Sequence, residues 1–355
     1  MNQRPEITPK DEVKKIASQL YFSIAIIKEC NYKCGYCYPF GQNKTIGINM
    51  SAEEFLFIVE SAIEVGFNKF KISGGEPTLV NWLFEKIGLL LDMHNEISFT
   101  IITNGKNLKK NLDFLEQRRD NVGIQFSLDL ASHQMRDGFY KTFNPETENL
   151  LENLSKRKIK TRINMVVTKH NMNEIDGIIN LARRFGFTVK LFNLFLQNQY
   201  IATDGINNSI GKYSSLSPLD YWKEEYVKPD EVLKYLKVEY GARILDSPEN
   251  EGFGSLQRTL EVNGVRVILL NSAGGAFFNP DICINKCPFF GKTCEKGMFN
   301  PLVSSNMVLH IDDCNNSKYR WDLRGKSRAE MISSINSIIE LFSNIKFVEK
   351  PLSFY

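Results

Sequence analysis

Between residues 21 and 193 the chain alternates six times between a short run rich in β-branched and aromatic residues and a stretch with helical spacing. No other feature limits the fold as strongly. The runs are YFSIAII (21–27), KFKIS (69–73), ISFTII (97–102), VGIQFSL (122–128), KTRINMVV (160–167) and FTVKLFN (187–193). Between them, SAEEFLFIVESAIEVG places Ser51 three residues before Glu54, the spacing of a capping box. NMNEIDGIINLARRFG ends on Gly186, a residue suited to close a helix. Strands alternating with helices predict an α/β fold with a parallel sheet and crossover helices. In such sheets chemistry gathers at the carboxyl ends of the strands.

The unusual segments fall at those ends. ECNYKCGYCY follows the first run, GGEP the second and TNG the third, while SLD ends the fourth. The first segment holds Cys30, Cys34 and Cys37, three of only seven cysteines. The polar N-terminus lacks the apolar core of a signal peptide, and no run approaches the length of a spanning helix. A cytoplasmic setting is expected, where thiols stay reduced, so an odd cysteine count points to metal or catalysis rather than disulfides. With 44 basic and 41 acidic residues, the net charge of +3 gives no sign of a nucleic-acid or membrane surface.

Three thiolates can hold three irons of a four-iron cluster and leave the fourth open to another ligand. A partial zinc site or chance spacing is the bland alternative for the spacing alone. The Cys-x3-Cys-x2-Cys spacing resembles the signature loop of the radical S-adenosylmethionine (SAM) superfamily, and SGGEPTL (73–79), TNG (103–105) and SLD (127–129) resemble further stations of the same cleft. The resemblance spans about residues 21–195 and implies a six-stranded, TIM-type partial (β/α)6 barrel. It implies a [4Fe–4S] cluster on Cys30, Cys34 and Cys37, with SAM bound through its amino and carboxylate groups to the open iron. One electron then cleaves SAM to methionine and a 5′-deoxyadenosyl radical, which removes a hydrogen atom from the substrate.

The resemblance also implies SAM contacts at Tyr36, Gly74, Gly75, Glu76, Asn104, Ser127, Asn164 and Phe195. Glu76 would help neutralise the SAM ammonium, and Pro77 would fix the exit into the next helix. Asp129 would close or order the site, or simply cap a helix. Asn104-Gly105 is otherwise a common turn, and Asn164 a satisfied core amide. Tyr32 and Tyr38 read as loop packing.

The pattern looks most like the GTP 3′,8-cyclase branch, whose C-terminal region carries a second cluster in a SPASM/twitch-like domain. Cys283, Cys287, Cys294 and Cys314 are the matching group here. Four thiolates can close a cluster, three can hold one open to substrate, and four cysteines are also a structural zinc set. The cyclase's arginines between its last cysteines are missing, leaving Lys296, and its strand-one arginine aligns with Ser23. Arginine forks are not replaced by lysine, which disfavours GTP cyclisation. Lys71, Lys169 and Lys190 remain candidates for an anionic group, or for solvated strand ends.

Four regions are expected: an N-terminal extension (1–20), the barrel (21–196), a linker (197–228) and a C-terminal α+β auxiliary iron–sulfur domain (229–355). The last includes a helix near 230–239, a hairpin turning at Asn263-Gly264 and a closing helix in SRAEMISSINSIIELFSNI. The expected substrate is a nucleotide, sugar or amino-acid derivative, and the expected electron donor a flavodoxin or ferredoxin. A peptide-modifying enzyme is the alternative, and a non-catalytic iron–sulfur or zinc module the rival outside catalysis. Membrane and specific nucleic-acid partners are not expected; the oligomeric state is not legible.

Overall fold

The computed structural model describes residues 9–32, 34–37, 49–132, 140–195, 218–245, 253–270, 274–284, 286–288, 290, 294, 296–312, 314 and 317–349. Tyr38 and positions 197–217 of the expected linker lie outside the described residues. Six parallel strands, β1 (Phe22–Ile27), β2 (Lys69–Gly74), β3 (Ser98–Thr103), β4 (Val122–Ser127), β5 (Thr161–Val167) and β6 (Thr188–Asn193), follow one another in the sheet in chain order. Helices α1 (Pro9–Gln19), α2 (Ala52–Val65), α3 (Leu83–Met93), α4 (Leu112–Gln117), α5 (Pro145–Lys156) and α6 (Ile175–Phe185) precede β1 or fill the crossovers. The architecture is the mixed α/β fold with a parallel sheet that the alternation predicts, and the partial barrel that the resemblance implies.

Local chemistry fixes the elements. Ser51 and Glu54 form the complete capping box of α2, with Glu54 N donating to Ser51 Oγ at 3.1 Å and Ser51 N donating to Glu54 Oε2 at 2.8 Å. Its buried side chains Phe55, Ile58, Val59, Ala62 and Val65 recur at helical spacing and face the sheet. Within the strands the period is two. Phe70 and Ile72, Ile124 and Phe126, Ile163 and Met165, and Val189 and Leu191 are buried among the core. The intervening Lys71, Ser73, Gln125, Ser127, Arg162, Asn164 and Lys190 instead line a cavity inside the barrel. Parallel strands covered by helices are usually apolar on both faces. A polar inner face marks a lined interior.

The remaining chain completes this sheet at both margins. Helices α7 (Pro218–Glu225) and α8 (Pro229–Tyr240) lead to strands β7 (Arg243–Ile244), β8 (Gln257–Val262) and β9 (Val265–Leu270). Strands β8 and β9 form the expected hairpin, with Asn263 and Gly264 both at positive φ and Val262 opposite Val265. Strand β9 pairs in parallel with β6. Strand β10 (Ala276–Phe278) pairs with β14 (Lys346–Val348) in a separate two-stranded sheet. Strands β11 (Pro301–Val303), β12 (Val308–Ile311) and β13 (Arg320–Asp322) extend the other margin, with β11 parallel to β1. Helix α9 (Arg328–Glu340) lies against α2, where Arg328 pairs with Glu60 and Glu64. The loop composition of residues 197–228 predicts no helix, yet its last part forms α7: Pro218 opens the segment, and Tyr221, Trp222 and Tyr226 give it a buried aromatic face.

Candidate active site

The three-cysteine loop is the continuation of β1 past Ile27, and the end of β2 holds it in place. Gly75 N donates to Ile27 O at 2.7 Å, and Glu76 N donates to Glu29 O at 2.8 Å. A Cβ on Gly75 would lie 2.0 Å from Glu29 O, and one on Gly74, where φ is +130°, 2.3 Å from Ile27 O. The glycine pair therefore lets one backbone lie directly on another. Inside the loop, Cys37 N donates to Cys34 O at 3.0 Å, and Tyr32 N donates to Cys30 Sγ at 3.4 Å.

Glu76 ties the second and third strand ends together. Its buried carboxylate accepts from Thr78 Oγ1 at 2.5 Å, Thr103 Oγ1 at 2.6 Å, Thr78 N at 3.1 Å and Asn104 N at 2.8 Å. Asn104 Nδ2 in turn donates to Asn31 Oδ1 at 2.8 Å, 3.9 Å from Cys30 Sγ. The residues expected to touch a cofactor here bind mainly one another and the cysteine loop. Glu76 thus carries four protein hydrogen bonds, a framework role that the expected charge neutralisation did not include.

A second knot joins Tyr36, Asp129 and Lys141. Tyr36 Oη donates to Asp129 Oδ2 at 2.6 Å and accepts from Lys141 Nζ at 2.9 Å. Lys141 N reaches the same carboxylate oxygen at 3.0 Å, and Val166 N lies 3.4 Å from Asp129 Oδ1. Asp129 is thus a hub between β4, β5 and the cysteine loop and caps none of the described helices. Burial, and then the neighbouring Asp129, push the Tyr36 phenol well above its usual range. Burial opposes the charge of Lys141, but attraction from Cys34, Asp129, Cys37 and Cys30 outweighs it and holds the ammonium above the usual lysine range.

Desolvation pushes the Cys34 thiol up to about 12 and raises Cys30 as well, the cysteines reinforcing one another. Among the described residues no three His, Cys, Asp or Glu side chains already stand at metal-ligating distance. The donor set nevertheless fits an iron–sulfur group. Three mutually repelling soft donors, one of them 3% exposed, become stable thiolates when they share cationic iron. The C-terminal group behaves similarly. Cys283 is pushed up to about 12 by burial and by Cys294, Cys314 and Cys287, so the four share one neighbourhood. Cys287 N donates to Cys283 O at 3.1 Å, and Cys314 follows β12 through Cys314 N to Ile311 O at 2.9 Å.

Cys37, Tyr36, Asp129 and Lys141 border a cavity of about 410 Å3 within the barrel. Gly74, Ser127, Asn164 and Phe195 line it, whereas Gly75, Glu76 and Asn104 are not among its lining residues. Lys71, Lys190 and Lys296 also line it, and Ser23 faces it from β1. Lys169 is not among its lining residues, and its backbone N donates to Glu225 O at 2.9 Å, fastening α7.

Sequence reasoning overlooked Arg162, Lys141, Asp312, Tyr221 and Trp222, all of which line the cavity. Arg162 carried a signal, being two residues before Asn164 on the same strand face. Arg162 Nε donates to Asn164 Oδ1 at 3.2 Å, whose Nδ2 donates to Gln125 Oε1 at 3.1 Å. Lys71 lies over the Tyr21 ring at 4.5 Å. Burial, then repulsion from Arg162, hold Lys71 down to about 8, with Asp312 acting the other way. Burial likewise lowers Arg162.

Residues 24–182 match the sequence profile of the Radical SAM superfamily. A probable GTP 3′,8-cyclase of Methanococcus maripaludis is 31% identical over 204 residues, 54% of this chain and 66% of that protein. An S-adenosylmethionine-dependent nucleotide dehydratase of Flammeovirga pacifica is 32% identical over 168 residues, 43% of this chain and 56% of that protein. Both alignments span less than two thirds of the relative's length. Streptococcus suis SuiB, solved with S-adenosylmethionine bound, superposes with a TM-score of 0.54 at 15% identity, covering 88% of this chain and 64% of that one, a likeness of fold alone. Among the described residues no helix is long and apolar enough to cross a membrane.

Proposed function

We propose, from a chain that belongs to the radical SAM superfamily of enzymes through residues 24–182, that it abstracts a hydrogen atom from a small anionic substrate. Cys30, Cys34 and Cys37 would hold the [4Fe–4S] cluster that the family implies, with SAM beside Cys37. When bound, that pair supplies a 5′-deoxyadenosyl radical by one-electron cleavage of the sulfonium. The chain's own residues do the rest. Gly74 and Gly75 seat the cysteine loop against β2, Asp129 fixes Tyr36 and Lys141, and the barrel interior would hold the reactants together.

The observation that carries the substrate class is the unbalanced charge inside the cavity. Lys71, Lys141, Arg162, Lys190 and Lys296 line it, against the lining carboxylates Asp129 and Asp312. An excess of cations over carboxylates gives the lining a net positive field, which favours a ligand of the opposite sign. A phosphate or carboxylate on a nucleotide, sugar or amino-acid derivative supplies that charge, and the nucleotide-acting relatives favour the first. Cys283, Cys287, Cys294 and Cys314 would hold a second cluster. Anaerobically reconstituted protein given dithionite and SAM is expected to release 5′-deoxyadenosine, and Cys34→Ala to release none. Equal yields from both proteins refute the assignment. SAM bound but never cleaved by the intact protein returns the chain to a binding module.

A further inference from the structure

The cavity is chemically divided along the barrel axis. Lys71, Arg162 and Lys190 each stand two residues before another lining residue, Ser73, Asn164 and Phe192, on the same strand. That is about 7 Å deeper, given the rise of a strand. At the carboxyl end the lining includes Tyr36, Val166, Leu194, Tyr221 and Trp222. Tyr36 and Val166 pack against the buried cluster of Leu194, Tyr221, Trp222 and Tyr226, so these side chains form one apolar corner. Tyr36 directly precedes Cys37, which also faces the cavity.

Helix α7 is built into this rim. Trp222 Nε1 donates to Leu194 O at 2.9 Å, tying the indole to the end of β6. Glu225 accepts from Lys169 N through its backbone at 2.9 Å and from His170 N through Oε2 at 3.1 Å, tying the helix to the end of β5. The Tyr140 ring stacks on His170 at 6.1 Å, its hydroxyl meets Thr168 Oγ1 at 3.1 Å, and it lies near enough to Tyr221 to help raise that phenol. Two β-strand exits and the segment after β4 thus converge on α7, holding Tyr221 and Trp222 against the cavity.

We infer that α7 is part of the cofactor site, with Tyr221 and Trp222 completing, beside Tyr36 and Val166, the apolar corner that takes the adenine ring of SAM. The inference rests on the radical SAM reading of the cysteine loop. A sulfonium ligand held beside Cys37 has a charged methionyl end and a planar heteroaromatic end. The charged end suits the polar groups around the cysteine loop, and the flat uncharged base suits aromatic faces next to it. An anionic substrate is drawn instead to the deeper cations.

Tryptophan emission tests this, because the chain has three tryptophans and only Trp222 lines the cavity. In the reconstituted holoenzyme, SAM and 5′-deoxyadenosine are expected to change the emission and methionine is not. Trp222→Phe should abolish the change. Trp222→Leu, which keeps apolar volume without a π face, should raise the Kd for SAM about tenfold by equilibrium dialysis. Should Trp222→Leu misfold, Tyr221→Leu carries the same expectation. Unchanged affinity in a folded variant, or an emission change caused by methionine alone, overturns the adenine assignment and leaves the radical SAM reading intact. A wild-type holoenzyme that fails to bind SAM overturns that reading, and this one with it.

Discussion

The two cysteine groups share a ligand chemistry but stand differently toward the cavity. Cys30, Cys34 and Cys37 lie in the loop that leaves β1, and Cys37 borders the cavity. Lys141 is close enough to favour their thiolates, and the end of β2 is hydrogen-bonded along the loop. Of Cys283, Cys287, Cys294 and Cys314, none lines the cavity, and Cys283 feels chiefly burial and its fellow thiols. What the second group sends to the cavity is its neighbours: Lys296 lies two residues after Cys294, and Asp312 two before Cys314. In the reading proposed above, the first group meets a ligand and the second braces the wall that does so.

Separate removal of the two groups gives the largest contrast. The intact protein should hold about eight irons, with either group's alanine variant holding about four. Cys283→Ala with Cys314→Ala should keep 5′-deoxyadenosine release within about threefold while weakening pyrophosphate binding about tenfold, the size expected when support behind a binding group is lost. Loss of both activities together would erase the distinction. Four irons and one zinc in the intact protein would give the second group a structural zinc instead.

Gly75→Ala should come next in size. Its Cβ would fall 2.0 Å from Glu29 O, with backbone as the obstacle, so a cost of about 3 kcal/mol or more is expected. Iron analysis should show the first group emptied and the second retained, while thermal unfolding shifts downward. Full iron occupancy would show that the strand-end contact does not hold the loop.

The pH response probes the deep cations. Lys71 is held down to about 8, so its charge is present below that pH and lost as pH rises through it. Pyrophosphate affinity should fall several-fold, up to about tenfold, between pH 7 and 9, and calorimetry on Lys71→Met should show a flatter profile. An equal slope in the variant would assign the response to another group. Tyr36→Phe should have the smallest effect on ligand binding, because it keeps the ring while removing the two hydrogen bonds to Asp129 and Lys141: about 2 kcal/mol in stability, with SAM binding weakened by less than tenfold.

The barrel strands were legible because their apolar residues recur at period two and glycine or polar residues punctuate their ends. Lys71 and Lys190 were singled out by resemblance to basic positions of the cyclase, not by strand period, whereas Arg162 was passed over beside Asn164 on β5. Lys141 was not, because its place beside Tyr36 depends on the path of the chain after Asp129, twelve positions earlier. The short helix α7 was hidden by the Gly/Ser/Asn-rich composition ahead of it, and its amphipathic face makes sense only against β5 and β6. The pairing of β11 with β1 has no local signature, since register between distant strands is set by packing.

That pairing sets a timetable for biosynthesis. Tyr21 N donates to Asn300 Oδ1 across 279 residues, and Ser23 has Leu302 as its partner on the outer side. At ordinary translation speed the first strand emerges roughly 15 to 60 seconds before its neighbour exists. Through that interval its unsatisfied peptide groups can recruit a stray strand from another nascent chain, a hazard that ends only when the last fifth of the polypeptide arrives.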